Sequence, residues 1–331
     1  MTVRVQGLGT SVPRTVVTND ELARDLATDD AWIRSRTGIA QRHVAEPEIS
    51  TGDLAAEAGA RALKASGNTA ADAVIVATMT PDRPCPATAP VVAARLGLGP
   101  GLAFDLNAAC SGFVYGLAAA VGLLTAGIAQ RVLLIGADVM TRTVDPTDRN
   151  TAVLFGDGAG AIVLGHDDAP GDDGTLGPFD TGGDGDLASL LHIPAGGSKR
   201  PADHASIDER AHFLRMDGKE VYRQAVAGMV SSSLRVLDKA GLAAGDVDHL
   251  VAHQANARIL TAVADRLGIA PERRLCNVDR YGNTTAASIP LALADLASAG
   301  VQPGDRVLIT AFGAGLSWGS VLLRWPDLGR R

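Results

Sequence analysis

The sequence predicts an α/β protein built from two copies of one unit. Strand-like apolar runs alternate with helical patterns along the chain. A segment near residue 61 returns near residue 235, with the following elements in the same order. Glycine is abundant, 38 of 331 residues, while aromatics make up 4%, so close packing of small residues must replace ring contacts.

The β-branched, apolar runs that read as strands are Ala73 to Thr78, Arg131 to Gly136, Ala159 to Leu164, His249 to His253 and Arg306 to Ala311. Helical periodicity covers Thr51 to Ser66, Gly112 to Thr125, Lys219 to Ala240 and Ala255 to Leu267. No charge appears between Asp105 and Arg131, but Gly112, Gly116, Gly122 and Gly127 interrupt this stretch and its flanks read as strands. A buried helix accounts for it better than a membrane span.

The repeat has an offset of roughly 174 residues. Arg61-Ala62-Leu63-Lys64-Ala65-Ser66-Gly67 matches Arg235-Val236-Leu237-Asp238-Lys239-Ala240-Gly241. Arg95-Leu96-Gly97 then matches Arg266-Leu267-Gly268, and Arg131-Val132-Leu133-Leu134 matches Arg306-Val307-Leu308-Ile309. The halves are expected to span residues 1–170 and 171–331, with Cys110 of the first close in register to Asn283 of the second. Asp167 to Asp217, rich in Gly, Pro and Asp, reads as a connection and surface loop that could line a substrate entrance.

The balance of 46% hydrophobic and 20% charged residues is that of a globular protein. A net charge of -7 argues against a nucleic-acid binder. Cys85, Cys110 and Cys276 form an odd set with neither disulfide nor metal spacing, and the N-terminus has no signal-like run. These features point to a cytoplasmic protein without a metal site.

Cys110 is the candidate nucleophile. In Asn107-Ala108-Ala109-Cys110-Ser111-Gly112-Phe113 it joins an apolar strand to the uncharged helix, where free backbone N–H groups favour a thiolate. A thiolate accepts an acyl group and later leaves it. A buried structural cysteine is the alternative. His253, in Val251-Ala252-His253-Gln254-Ala255-Asn256, sits where a strand meets a helix, the position at which α/β folds present functional groups. Asn283, in Tyr281-Gly282-Asn283-Thr284-Thr285, opens another small-residue helix and could equally be a cap. The glycines of Ala311 to Gly319 could let backbone N–H groups approach a developing oxyanion, or simply make a tight turn. Gly156-Asp157-Gly158-Ala159-Gly160 lacks the Lys-Ser/Thr of a phosphate loop and reads as structural.

Together these segments resemble the thiolase-fold condensing enzymes, specifically β-ketoacyl-acyl-carrier-protein synthase III, from about Gly7 to Trp325. Further marks of the likeness are Trp32-Ile33-Arg34-Ser35-Arg36-Thr37-Gly38-Ile39, Asp145-Pro146-Thr147-Asp148-Arg149 and Phe155 to Gly160. The resemblance implies a five-layered αβαβα thiolase fold of two duplicated halves, forming a homodimer. It implies that Cys110 takes an acyl group from acyl-CoA, and that His253 and Asn283 stabilise the enolate left when malonyl-acyl carrier protein loses CO₂. The backbone N–H groups of Cys110 and Ala314 would hold the oxyanion, with no cofactor required. It further implies a CoA entrance framed by Trp32, Arg36, Arg149, Tyr222 and Asn256, and carrier-protein contacts at Arg223 and Arg258.

Three positions depart from the family pattern. Cys85 stands where a Phe commonly closes the partner's acyl pocket, Ala314 replaces a glycine, and Asn150 stands where glycine is frequent. The main alternative keeps the fold but moves the acyl group to another acceptor without decarboxylation. A silent carrier-binding subunit is disfavoured by Cys110. A nicotinamide oxidoreductase is disfavoured by Gly7-Leu8-Gly9, whose motif fails at Val12.

Overall fold

The computed structural model describes residues 2–167 and 171–328. The expected boundary at residue 170 lies outside the described residues. Nine strands build two sheets: β1 (Thr2–Ser11), β2 (Ala73–Ala77), β3 (Leu102–Leu106), β4 (Arg131–Asp138) and β5 (Gly158–Asp167) make the first. β6 (Leu176–Gly183), β7 (His249–Ala252), β8 (Arg306–Gly313) and β9 (Ser317–Arg324) make the second.

The sheets share one topology. The first runs β1-β5-β4-β2-β3, and the second runs β6-β9-β8-β7 when taken from the same edge. In both, the first two pairings are antiparallel and the next is parallel. The counterpart of β3 is reduced to one parallel bridge between Leu250 and Arg274. Both sheets are near-continuously apolar in their central strands because helices cover both faces.

Helices α1 (Thr51–Ala65) and α2 (Thr88–Arg95) cover the outer face of the first sheet. α3 (Gly112–Thr125) and α6 (Ser288–Ser298) lie between the sheets, and α4 (Gly218–Ala240) with α5 (Ala257–Leu267) covers the second sheet. This is the five-layered αβαβα thiolase fold. The uncharged stretch is the central helix α3, whose Phe113, Leu117 and Leu124 share one buried apolar cluster with Ile289, Leu293 and Leu296 of α6. Gly116 lets α3 lie close to the first sheet: a Cβ there would stand 2.4 Å from Leu134 Cδ1. Among the described residues no helix is long and apolar enough to cross a membrane.

The strands and helices expected from the sequence form within three residues of their expected limits. Two segments differ. Asp167 to Asp217 contains the edge strand β6, held by backbone pairing with β9 rather than by an apolar pattern of its own. The glycine-rich tail is a hairpin of β8 and β9 joined through residues 314–316, its strand character set by the cross-strand ladder.

Candidate active site

Duplication places two similar turns at the centre of the molecule. Ala109–Ser111 precedes α3 and Thr285–Ala287 precedes α6, each a single turn of tight helix. Asn107 Oδ1 accepts the Ala109 N–H at 3.3 Å, and Asn283 Oδ1 accepts the Thr285 N–H at 3.0 Å. Ala109 and Thr285 both adopt left-handed backbone, with φ of 46° and 48°. Asn107, not Cys110, is therefore the repeat partner of Asn283, and Cys110 corresponds to Ala286. Sequence matching missed this shift because the two turns share a conformation but little side-chain identity.

Cys110 is buried within the first turn. Its surroundings reverse the thiolate expectation: burial pushes the thiol up to about 12, and the nearby Asp138 carboxylate adds repulsion. The backbone N–H contribution acts in the expected direction but is outweighed. The resting Cys110 side chain is thus a thiol. Gly313, at the end of β8, lies directly against this turn, where a Cβ would stand 2.8 Å from Cys110 N and 2.9 Å from Ser111 N. Ser111 Oγ bonds Ser317 Oγ at 2.7 Å and donates to Ser317 O at 3.1 Å, locking the turn to β9. Gly313→Ala should lower the rate of thiol acylation about a hundredfold by displacing this turn. Acylation at the wild-type rate with an unchanged melting temperature would show that the turn absorbs the added methyl.

His253 follows β7, and its N–H donates to Thr310 O at 2.8 Å. The residue is 2% exposed. Burial lowers its pKa to about 4, so the resting imidazole is neutral. His253 Nδ1 lies 2.6 Å from Ser288 Oγ, and that oxygen also accepts the Gln254 N–H at 3.4 Å. With the Ser288 hydroxyl donating to Nδ1, the imidazole carries its hydrogen on Nε2. Ser288 had no local sequence signal, since its role depends on a contact 35 residues away.

The depressed pKa gives stability a pH dependence. Below the unfolded value of 6.5 the unfolded chain binds this proton more readily, so stability falls from pH 6.5 towards pH 4 and then levels. The full difference is about 3 kcal/mol. Denaturant unfolding across that window should show this component in wild type and lack it in His253→Gln; equal pH slopes would contradict a buried neutral histidine.

Asn283 is fixed on three sides. Its N–H donates to Leu154 O at 2.8 Å, its carbonyl accepts from Gly156 N at 3.1 Å, and Oδ1 is taken by Thr285. The amide nitrogen Nδ2 is left to face outward as a donor. Gly282 makes this approach possible, with φ of 67° and the Leu154 carbonyl only 2.9 Å from where a Cβ would be.

Cys110, His253 and Asn283 open into one cleft of about 730 Å³. Trp32, Arg36, Tyr222, Asn256 and Arg258 also line it, with Asn150 and with Lys219, which the sequence alone did not single out. Phe312, Met229, Leu191 and Val221 supply its apolar wall. Asn256 caps α5 by accepting the Ile259 N–H at 2.9 Å, and Arg258 stands 5.7 Å over the Tyr222 ring.

Arg149, Arg223, Cys85 and Ala314 are not among the residues lining that cleft. The Arg149 guanidinium stands 5.1 Å over the Trp32 ring and donates to Ala27 O at 2.9 Å, so it reaches the cleft through Trp32. Arg223 is engaged by Glu220 one turn away on its own helix. Cys85 is exposed on the segment between β2 and α2. Ala314 is half-buried in the hairpin turn, where its carbonyl accepts from Ser317 Oγ at 3.0 Å. Asp157 of the glycine-rich Gly156–Gly160 segment is buried and accepts from Ala45 N, Thr141 N and Thr141 Oγ1, as befits a structural turn.

A buried thiol, a neutral histidine and an oriented amide donor at the floor of one deep cleft suit covalent acyl chemistry. Comparison with known proteins decides the family. The family model for 3-oxoacyl-[acyl-carrier-protein] synthase III matches residues 104–185, and its C-terminal counterpart matches residues 237–325. β-Ketoacyl-[acyl-carrier-protein] synthase III 3 of Streptomyces coelicolor is 54% identical over 97% of this chain and 96% of its own length. The chain belongs to the β-ketoacyl-acyl-carrier-protein synthase III family. Its backbone matches the crystal structure of 3-oxoacyl-(acyl carrier protein) synthase III from Pseudomonas aeruginosa with a TM-score of 0.92 and 51% identity, covering 99% of both chains. A priming β-ketosynthase of a polyketide biosynthetic pathway matches this synthase with a TM-score of 0.90 and 37% identity, over 98% of this chain and 97% of its own.

Proposed function

We propose that this synthase starts fatty-acid or polyketide chains by joining an acyl-CoA starter to malonyl-acyl carrier protein through an acyl-Cys110 thioester. The observation that carries the reading is the shared cleft floor: Cys110 lies with two groups, His253 Nε2 and Asn283 Nδ2, whose other polar atoms are already engaged.

Cys110 attacks the acyl-CoA carbonyl; its S–C bond forms, the bond to CoA breaks, and CoA takes the proton as a thiol. The malonyl thioester carbonyl then accepts from His253 Nε2 and Asn283 Nδ2. Its C–CO₂ bond breaks and the electron pair enters an enolate held by those donors. The enolate carbon attacks the acyl-Cys110 carbonyl, whose oxyanion accepts from the N–H groups of Cys110 and Ala314. Collapse expels the Cys110 thiolate, which takes a proton from solvent to regain the resting thiol. A high thiol pKa suits that cycle because it restores an uncharged floor before the next CoA thioester enters. Neither redox chemistry nor an added electrophile enters these steps.

Trp32 backed by Arg149 offers a stacking face for the CoA adenine, while Arg36 and Lys219 offer charge for its phosphates. Tyr222 and Asn256 line the way between. Arg258 beside the rim would meet an acidic carrier protein; Arg223 could do so only by giving up Glu220. A homodimer is supported by the open outer edge of β3, where Leu102 is 41% exposed, and would bring Cys85 to the partner's acyl pocket. A side chain as small as Cys85 leaves room there for starters larger than acetyl.

A panel of straight and branched acyl-CoAs offered with malonyl-acyl carrier protein tests the reading. The expected result is CO₂ release matched by β-ketoacyl-carrier product, with starters beyond acetyl accepted. Acyl transfer to an alcohol or amine without CO₂ would replace the condensing reading by simple acyl transfer.

A further inference from the structure

The two repeated turns are faced by different strand ends. Ala109–Ser111 packs against β8, which ends at Gly313, while Thr285–Ala287 packs against β4, which ends at Asp138. Gly313 and Asp138 occupy equivalent places in the two halves. At Gly313 there is no side chain; the nitrogens of Cys110 and Ser111 lie within 3 Å of where a Cβ would begin, and of the two the Ser111 N–H is given to Ala108 O. At Asp138 a carboxylate fills the corresponding space. Its Oδ2 accepts from Ala286 N at 3.3 Å and from the Thr285 hydroxyl. Its Oδ1 accepts from Met79 N at 2.8 Å, Thr80 N at 3.2 Å, and the hydroxyls of Thr78 and Thr80, both at 3.0 Å.

We propose that Asp138 is a positioning residue: its carboxylate is a built-in anion that fills the second-half turn and so fixes the loop that aims Asn283, whereas Gly313 leaves the equivalent first-half turn to a substrate oxygen. This inference rests on the condensing reading and extends it. Three backbone N–H groups can only donate, and they fall on both carboxyl oxygens, so the group must accept on each. Asp138 is fully buried, and an acceptor so placed holds its donors rigidly. The chain of position is short: Asp138 holds Thr285, and Thr285 N–H holds Asn283 Oδ1, leaving Nδ2 pointed at the cleft. The same side chain ties that loop to residues 78–80 of the first half, so the floor is assembled from both copies. Burial raises its pKa on balance, and the hydroxyl and N–H donors offset part of that rise. Its charge is felt at Cys110, where it disfavours the thiolate.

The test compares wild type, Asp138→Asn and Thr285→Val in three measurements: acylation by acyl-CoA, condensation with malonyl-acyl carrier protein, and the pH profile of Cys110 alkylation by iodoacetamide. Thr285→Val keeps the β-branched shape and removes only the hydroxyl, which guards against a folding failure in Asp138→Asn. Both variants should lose about tenfold to a hundredfold in condensation while acylation stays within about threefold. The alkylation profile should move to lower pH in Asp138→Asn and stay in place in Thr285→Val. Parallel loss of both half-reactions in proportion to the folded fraction, or an unshifted profile in Asp138→Asn, overturns the proposal. If wild type itself fails to condense, the functional reading falls. The alkylation profile then decides the anion claim alone: a shift sustains it and no shift ends it.

Discussion

Cys110→Ala should form no acyl-enzyme with any acyl-CoA, and its overall condensation should fall by more than about a thousandfold. The fold should survive, because the sulfur makes none of the hydrogen bonds that hold the turn; those come from Asn107, Ala108 and Ser111. Intact-protein mass spectrometry reads the adduct directly, and thermal unfolding checks the fold. A variant that still acylates would move the nucleophile elsewhere. Cys85 and Cys276, both exposed, would be the next thiols to map.

Asn283→Ala separates the two half-reactions. The variant should still load acyl groups onto Cys110, since the Cys110 turn is closed by Asn107 and backed by Gly313 rather than by Asn283. It should lose condensation by about a hundredfold to a thousandfold, the usual cost of removing one donor to a developing oxyanion or enolate. Losing the Oδ1 bond to Thr285 N–H also loosens the second turn, and Asn283→Asp resolves that part. The carboxylate can still accept from Thr285 but offers no N–H to the malonyl carbonyl. Stopped-flow loading and CO₂ release, measured on both variants, distinguish the roles. Equal loss of loading and condensation would contradict the division of labour.

The sequence made the fold readable because its central strands and helices keep their patterns. Ala73–Ala77 and residues 132–137 are apolar throughout since both faces are covered, and Arg61 and Arg235 mark the same point of the repeat. What escaped was carried by pairing across long distances. β6 is half-buried at a sheet edge and has no clean alternation, and the Gly313–Ser317 turn reads as loop although strands flank it on both sides.

The site was readable to a different depth. Cys110, His253 and Asn283 could be named because each stands at the start of a helix or the end of a strand, and the structure brings them into one cleft. The register of the repeat around them could not, because Asn107 and Asn283 correspond by backbone conformation, with φ of 46° and 48° two residues on, rather than by neighbours of similar type. Ser288 and Asp138 were invisible for the same reason. A buried serine or aspartate announces itself only through the group it touches. The thiolate expected of Cys110 gives way to a thiol because the sulfur is buried beside Asp138, which outweighs the N–H groups of its turn.

The most direct test of the central claim loads the protein with one acyl-CoA, maps the adduct by peptide mass spectrometry, and then adds malonyl-acyl carrier protein labelled at the free carboxyl carbon. The adduct should lie on Cys110, and its loss should match labelled CO₂ release one for one, with the label absent from the β-ketoacyl product. An adduct on another residue, or its discharge without labelled CO₂, would contradict the account.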